Sequence, residues 1–321
     1  MLDILLVTFP FFALVLAGYV AARRRMLPLD AIGGLNTFVL YFALPCMLYR
    51  FGASTPIAQL LDPFAVAVYL PCALLMVAGT IYFSLNTRIR WNDAAFGALV
   101  AAFPNTGFMG VPLLVALLGA AAAGPAILTI LLDLVVTSSL CIALSRLDSA
   151  DEHGASEAAK KALKGMALNP MPWAILLGGL SSALGWKPVA PVMNTIGLLA
   201  DAASPVALFT IGAVLYRSQH LAAVHEHGPM PLADYVPVAL AKLVVHPVLV
   251  FGAGTAARAL GLPLEASTLG AMTLVAALPS ASNVSLLAER FGADTGRIAR
   301  IILVTTAAAF VTFSAAVTLI R

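Results

Sequence analysis

Apolar residues fill this chain in long unbroken stretches, separated by short polar interruptions. A hydrocarbon core of roughly 30 Å takes about 20 helical residues at about 1.5 Å each. On that template the chain contains ten spans, near 2–22, 31–52, 62–85, 94–118, 124–146, 171–186, 189–216, 234–258, 265–289 and 298–320. The runs are continuous and do not alternate with period two, which excludes a membrane β-barrel. The sixth is short and bounded by Pro170, Pro172 and Pro188. The first is not read as a cleavable signal peptide, because Arg23, Arg24 and Arg25 follow the apolar run instead of preceding it. The expected fold class is an all-α polytopic membrane protein.

Composition agrees. Of 321 residues, 61% are hydrophobic and 10% charged, with a mean hydropathy of +0.97. A soluble domain carries about 25% charged residues, so this chain has too little polar surface to cover a water-soluble core. The same figures exclude disorder, and three cysteines exclude a disulfide scaffold. Cys46, Cys72 and Cys141 sit inside apolar runs without metal-ligand spacing, so packing is expected of them. The net charge of +3 does not point to nucleic acid. In a membrane protein the placement of Lys and Arg matters more than their sum.

That placement is asymmetric. Loops after odd-numbered spans carry Arg23, Arg24, Arg25, Arg88, Arg90, Arg146, Lys160, Lys161, Lys164, Arg217, Arg290, Arg297 and Arg300. The opposite side carries Arg50, Lys187, Arg258 and Arg321, and Lys242 lies inside a span. The positive-inside rule then places both termini outside the cytoplasm, in a multi-pass protein of the cell inner membrane. The longest polar stretch, 147–169, is expected to be a cytoplasmic linker between a first five-helix repeat, 1–146, and a second, 170–321. A loop at 217–233 holds His220, His225 and His227, which lack a convincing fourth ligand and are expected to be solvated.

Five spans per half is an odd number, so similarity between the halves implies an inverted repeat. Leu99-Val100-Ala101-Ala102-Phe103-Pro104 in span four returns as Leu274-Val275-Ala276-Ala277-Leu278-Pro279 in span nine. Pro45 in span two is matched by Pro205 in span seven. A mid-membrane proline removes a donor and disturbs the carbonyl one turn earlier, so such a helix must be buried or line a wet cavity. Polar residues follow both: Asn105-Thr106-Gly107 after Pro104, and Ser280-Ala281-Ser282-Asn283 after Pro279. Transporters with inverted repeats build midplane sites from discontinuous helices of this kind. Two broken helices, spans four and nine, are therefore expected.

Residues Leu99–Gly119, reading LVAAFPNTGFMGVPLLVALLG, resemble the fourth helix of the auxin efflux carrier family. Leu35-Asn36-Thr37-Phe38-Val39 with Phe42-Ala43-Leu44-Pro45 is similar to that family's second helix. Ala207–Gly212 is similar to the seventh, and Leu278-Pro279 with Ala288-Glu289-Arg290-Phe291 to the ninth. The resemblance covers nearly the whole chain. It implies a ten-helix fold related to the bile acid:sodium symporters in which the two broken helices cross, with a scaffold of spans one, two, six and seven and a transport domain of spans three to five and eight to ten. It also implies a homodimer, elevator-type alternating access, and a small carboxylate substrate such as malonate or an auxin-like monocarboxylate. The long central hydrophilic loop of the plant exporters is absent here, and residues 63–87 contain no charge, so the role of the charged cluster on their third helix does not carry over.

The expected carboxylate site comprises Asn105, Thr106, Gly107, Ser280, Ser282 and Asn283, flanked by Pro104 and Pro279, with Asn36 contributed by the scaffold. Half-helices beginning at Asn105 and Ser280 are expected to offer backbone N–H groups to the anion. Charges inside spans cost at least about 2.5–3.5 kcal/mol and so mark partners or cavities. They are Asp133, Asp201 and Lys242, with His246 one turn after Lys242. Asp133 and Lys242 lie at depths within about 4 Å of each other at about 1.5 Å per residue, and are expected to pair. Asp201 is near a span end, where a solvated cap competes with a site. No cofactor or metal is expected; proton or sodium coupling is the open alternative. Catalytic signatures such as Gly-x-Ser-x-Gly, His-Glu-x-x-His or a Walker loop are absent from the sequence, leaving a channel or a membrane receptor as the other readings.

The charge asymmetry makes a direct prediction. Single cysteines in 150–160 should be shielded from impermeant thiol reagents in intact cells, whereas one at the C-terminus should react. External labelling of the 150–160 segment would reverse the topology.

Overall fold

The computed structural model describes residues 2–56, 61–145, 170–224 and 230–320, with positions 160, 164, 167 and 168. The 147–169 linker and His225 and His227 fall largely or wholly outside the described residues. Among the described residues the chain is helical apart from turns and one isolated antiparallel bridge. The helices are α1 (Leu2–Arg23), α2 (Ala31–Ser54), α3 (Pro63–Ser84), α4 (Trp91–Ala102), α5 (Thr106–Leu118) and α6 (Ala120–Leu144). They continue with α7 (Pro170–Leu184), α8 (Ala190–Val224), α9 (Val236–Ala259), α10 (Ala266–Ala276), α11 (Val284–Arg290) and α12 (Thr295–Ile320). Seven of these, α1, α2, α3, α6, α8, α9 and α12, are long and apolar enough to cross a membrane. Shorter apolar helices are α5, α7 and α10.

The two expected spans at 94–118 and 265–289 are each found as two helices. Phe103–Asn105 separates α4 from α5, and Ala277–Asn283 separates α10 from α11. A second difference concerns the 217–233 loop: α8 runs on to Val224, so His220 lies on a helix.

Prolines set the local winding. Proline lacks an N–H, and its ring meets the carbonyl four residues earlier. Three turns of wider, π-helical winding lie where that conflict falls: Val39–Ala43, Thr106–Gly110 and Ala241–Val245. Their central residues, Tyr41, Phe108 and Leu243, stand four before Pro45, Pro112 and Pro247. The wider turn carries the offending carbonyl away from the ring without ending the helix. A fourth π-turn, Asp133–Thr137, has no following proline and coincides with a buried acid.

The chain divides into two compact units. The first comprises Met1–Pro63, Thr106–Ile130 and Asn169–Arg217; the second comprises Phe64–Asn105, Leu131–Leu168 and Ser218–Arg321.

In the first unit, glycines bring helix backbones into contact. A Cβ on Gly18 of α1 would lie 1.8 Å from the Phe209 carbonyl oxygen of α8, and one on Gly212 would lie 1.8 Å from that of Val15. The pair α2 and α7 repeats the arrangement: a Cβ on Gly178 would lie 2.6 Å from the Tyr49 carbonyl, and one on Gly52 would lie 3.2 Å from that of Ile175. Close backbone approach through small residues is how membrane helices gain packing without a hydrophobic driving force. Side chains reinforce α2 against α7 through Tyr49 Oη and Ser181 Oγ at 2.9 Å, and Ser182 Oγ donates to Thr55 O at 2.9 Å. Gly18 and Gly178, Pro45 and Pro205, and Gly52 and Gly212 are each 160 residues apart.

In the second unit a buried arginine ties four chain segments. Arg297, 2% exposed at the start of α12, donates from Nε to Asp234 O at 2.8 Å and from Nη1 to Asp93 O at 2.7 Å. Its Nη2 reaches Ser84 Oγ, at the end of α3, at 3.4 Å. The guanidinium lies where a side chain on α4 would otherwise stand, since a Cβ on Gly97 would come within 2.6 Å of Nη1. Arg88 Nη2 pairs with Asp234 Oδ1 at 3.1 Å on the same side.

The fork of Arg297 cannot be reproduced by an ammonium on a flexible stem. Arg297→Lys should leave buried carbonyls unpartnered and lower stability by about 2–3 kcal/mol. Thermal unfolding in detergent measures this, and an unchanged midpoint would show that the three acceptors do not depend on the guanidinium.

Candidate functional site

The two interrupted segments meet in the second unit. Pro104 and Ser280 form an antiparallel bridge, closed by Asn105 N donating to Pro279 O at 2.8 Å and Ala281 N donating to Phe103 O at 3.0 Å. Pro104 and Ser280 are thus the pair that exchanges no hydrogen bonds with each other, the one place in a ladder where a residue without N–H loses nothing. Ser280 N turns instead to Thr305 Oγ1 of α12, at 3.3 Å. Every backbone donor from Phe103 to Asn105 and from Pro279 to Ala281 has a protein acceptor or is a proline. Buried at this depth, unpaired groups would cost several kcal/mol each.

This pairing corrects the expected anion site in one respect. The amides of Asn105 and Ser280 are occupied, and the second half-helix begins at Val284 rather than Ser280 because residues 279–281 are extended against α4's continuation. What stays available are side chains. Ser280 Oγ and Asn283 Oδ1 are buried and have no hydrogen-bond partner among the described residues. Asn105 is 4% and Ser282 9% exposed. Thr106, Gly107 and Asn36 belong to the first unit. There Thr106 Oγ1 is buried without a partner, Gly107 faces Leu44 of α2, and Asn36 is half-buried on α2.

The ionisable residues form a separate buried cluster in the second unit. Asp133, Lys242 and His246 are fully buried, as is Tyr69. The Asp133 carboxylate accepts from Tyr69 Oη at 2.9 Å and from Thr137 Oγ1 at 3.1 Å. Lys242 Nζ donates to Ala276 O at 2.6 Å and lies 3.3 Å from His246 Nδ1. The Tyr69 and His246 rings join the two halves of the cluster, with centroids 6.0 Å apart. The direct ion pair expected between Asp133 and Lys242 is therefore not how either charge is held. Ion pairs among the described residues include Arg50 with Asp201 and Arg88 with Asp234. Asp201 is on the exposed surface of the first unit, 2.7 Å from Arg50, and takes no part in the cluster.

Tyr69, Thr137, Thr305 and the Ala276 carbonyl were not among the expected site residues. A phenol in the charge-free run 63–84 and the Thr305-Thr306 pair in the apolar stretch 301–311 of α12 were the available signals. All three cysteines are free, and Cys72 Sγ approaches Leu249 O at 3.7 Å. Among the described residues no three His, Cys, Asp or Glu side chains gather as a metal site.

Relatives place this geometry in context. A family profile described as "Membrane transport protein" matches residues 4–317. A Rhizobium meliloti (strain 1021) protein named "Putative malonate transporter" is 28% identical over 315 residues, covering 97% of this chain and 94% of that one. The "Uncharacterized transporter YfdV" of Escherichia coli (strain K12) is 27% identical over 292 residues, covering 89% and 88%. An "Uncharacterized transporter" of Methanothermobacter thermautotrophicus is 23% identical over 299 residues, covering 91% and 90%. With a match running from α1 through both interrupted segments to α12, and with seven helices able to cross a bilayer, the chain belongs to the membrane transport protein family, that of the auxin efflux carriers, and is a multi-pass membrane transporter.

Proposed function

We propose that the protein is a secondary carrier of a small organic anion, a carboxylate such as malonate or an auxin-like monocarboxylate. The observation that carries this reading is the pair of buried polar atoms beside the paired segments that have no partner among the described residues: Ser280 Oγ and Asn283 Oδ1. Buried polar groups are nearly always hydrogen-bonded, so orphans clustered next to a helix break call for a polar ligand. Hydroxyls donate to a carboxylate, and the Asn105 and Asn283 amides can each present an N–H₂ end. Neutral donors suit a carrier, because a site that holds its anion with a full charge releases it slowly. The name of the Rhizobium relative supports the substrate class.

In this reading α4–α5 and α10–α11 are the fourth and ninth of ten spans, arranged as two inverted five-helix repeats. The constant spacing of 160 residues supports the repeat, since it relates the α1–α8 glycine contacts to the α7–α2 ones. Transport then proceeds by movement of a domain bearing the interrupted helices against a scaffold of α1, α2, α7 and α8. The protein operates in the inner membrane with both termini outside.

Counterflow of radiolabelled malonate, succinate and indole-3-acetate in proteoliposomes tests the substrate class. Asn105→Ala and Ser280→Ala should each weaken the exchanged anion by about 10- to 150-fold, the equivalent of about 1.5–3 kcal/mol for a hydrogen bond to a charged group. Normal insertion and melting with unchanged affinity would place the carboxylate elsewhere. Movement is tested by an engineered disulfide between α2 and α4, which should stop counterflow and release it on reduction; a cross-linked carrier running at full rate would rule out domain movement.

A further inference from the structure

The cluster around Asp133 is separate from the side chains proposed above to hold the carboxylate, yet it is buried, ionisable and joined to the crossing through Ala276. The titratable groups that face this volume are Tyr69 and Cys72 from α3, Asp133 and Cys141 from α6, and Lys242 and His246 from α9. Residues 94–102 of α4 and 301–320 of α12 carry no ionisable side chain, and α10 contributes only its Ala276 carbonyl.

The two charges are held differently, and the difference assigns their roles. Asp133 is met by two hydroxyls, Tyr69 Oη and Thr137 Oγ1. A hydroxyl donates or accepts, so both the carboxylate and the carboxylic acid find partners here without rearrangement. Lys242 is met by a carbonyl, which accepts an N–H from it and, as a helix-terminal carbonyl, favours the positively charged ammonium over the neutral amine. That carbonyl is the last of α10, four residues before Ser280, so the ammonium caps the negative end of the half-helix that leads into the crossing.

We propose that Asp133 is the proton-binding site of the carrier, taking up one proton as a carboxylate binds at the crossing, with Lys242 as the fixed positive charge that links the two. This rests on the carboxylate-carrier reading above. With the site empty, the Asp133 carboxylate and the Lys242 ammonium balance. A bound substrate carboxylate adds one negative charge to the low-dielectric interior. A proton from water then forms an O–H bond on Asp133 and restores neutrality; breaking that bond on the opposite side returns the proton to water. Binding of anion and proton favour each other by the same factor, since coupling is reciprocal. The result is symport.

Full-length protein in proteoliposomes, with internal pyranine and the potential clamped by potassium and valinomycin, gives the test with the same three radiolabelled anions. An exchanged anion should acidify the lumen, and its accumulation should rise about tenfold for each pH unit of inward acid gradient, the value for one proton per anion. Asp133→Asn cannot ionise and should lose that gradient response when accumulation is normalised to counterflow of the same preparation. Tyr69→Phe keeps the carboxylate and should shift the pH profile of accumulation. Counterflow without lumen acidification or gradient response in the unmodified protein overturns the proposal alone, as does a response to sodium in place of protons. A gradient response surviving in Asp133→Asn overturns it equally. If none of the three anions exchanges, the carrier reading falls, and the proposal falls with it.

Discussion

Two backbone hydrogen bonds, Asn105 N to Pro279 O and Ala281 N to Phe103 O, are the constraint on which the rest depends. A helix can be interrupted inside an apolar environment only if its freed peptide groups find partners. Here each interruption is the partner of the other. The prolines make this workable from both sides: Pro104 occupies the position that needs no donor, and Pro279 contributes an acceptor while having no N–H to lose. Because the backbone pays its own way in this fashion, the side chains of Asn105, Ser280 and Asn283 are released from structural duty. A polar site in a greasy interior can exist here because the main chain does not consume it.

Buried charge obeys the same logic in three forms. Arg297 is spread over two carbonyls and a hydroxyl and behaves as a staple at the ends of helices. Lys242 is placed on one helix-terminal carbonyl, where the helix dipole meets it. Asp133 is held by hydroxyls. The last of these environments serves both charge states of its group, because a hydroxyl can donate to a carboxylate or accept from a carboxylic acid, whereas the helix-terminal carbonyl favours the charged ammonium. The π-turn at Asp133–Thr137 strengthens the distinction. It has no proline to account for it, and it brings Thr137 Oγ1 to the carboxylate four residues earlier on the same helix.

The sequence disclosed more of the architecture than of the contacts. Apolar run length located every long helix, and Pro104 and Pro279 marked both interruptions. The start of α11 was misplaced by four residues, because the partner that draws Ser280 into an extended form stands 176 positions away at Pro104. Depth arithmetic put Asp133 and Lys242 at one level, which is all it can do. Depth says nothing about azimuth, and the azimuth of each residue directs it to a hydroxyl or a carbonyl instead. Tyr69 was invisible for a related reason: in an apolar run a phenol reads as a hydrophobe until its neighbour proves to be an acid.

The spacing between matched features differs along the chain, and the difference has a physical location. Gly18, Pro45 and Gly52 recur after 160 residues, whereas the Leu-Val-Ala-Ala segment before Pro104 recurs after 175. The added length must lie between Gly212 and Leu274. That stretch contains the continuation of α8 to Val224 and the short helical turn at Leu232–Asp234. Asp234 from this insertion receives Arg88 on its carboxylate and Arg297 on its carbonyl. Added chain in a connecting segment is cheap in loop entropy, and here it supplies an acceptor for a buried guanidinium. The positions where backbones touch or pair keep their spacing within each group, since a shift of one residue there would drive a side chain into a carbonyl; the segments between them are free to lengthen and acquire contacts of their own.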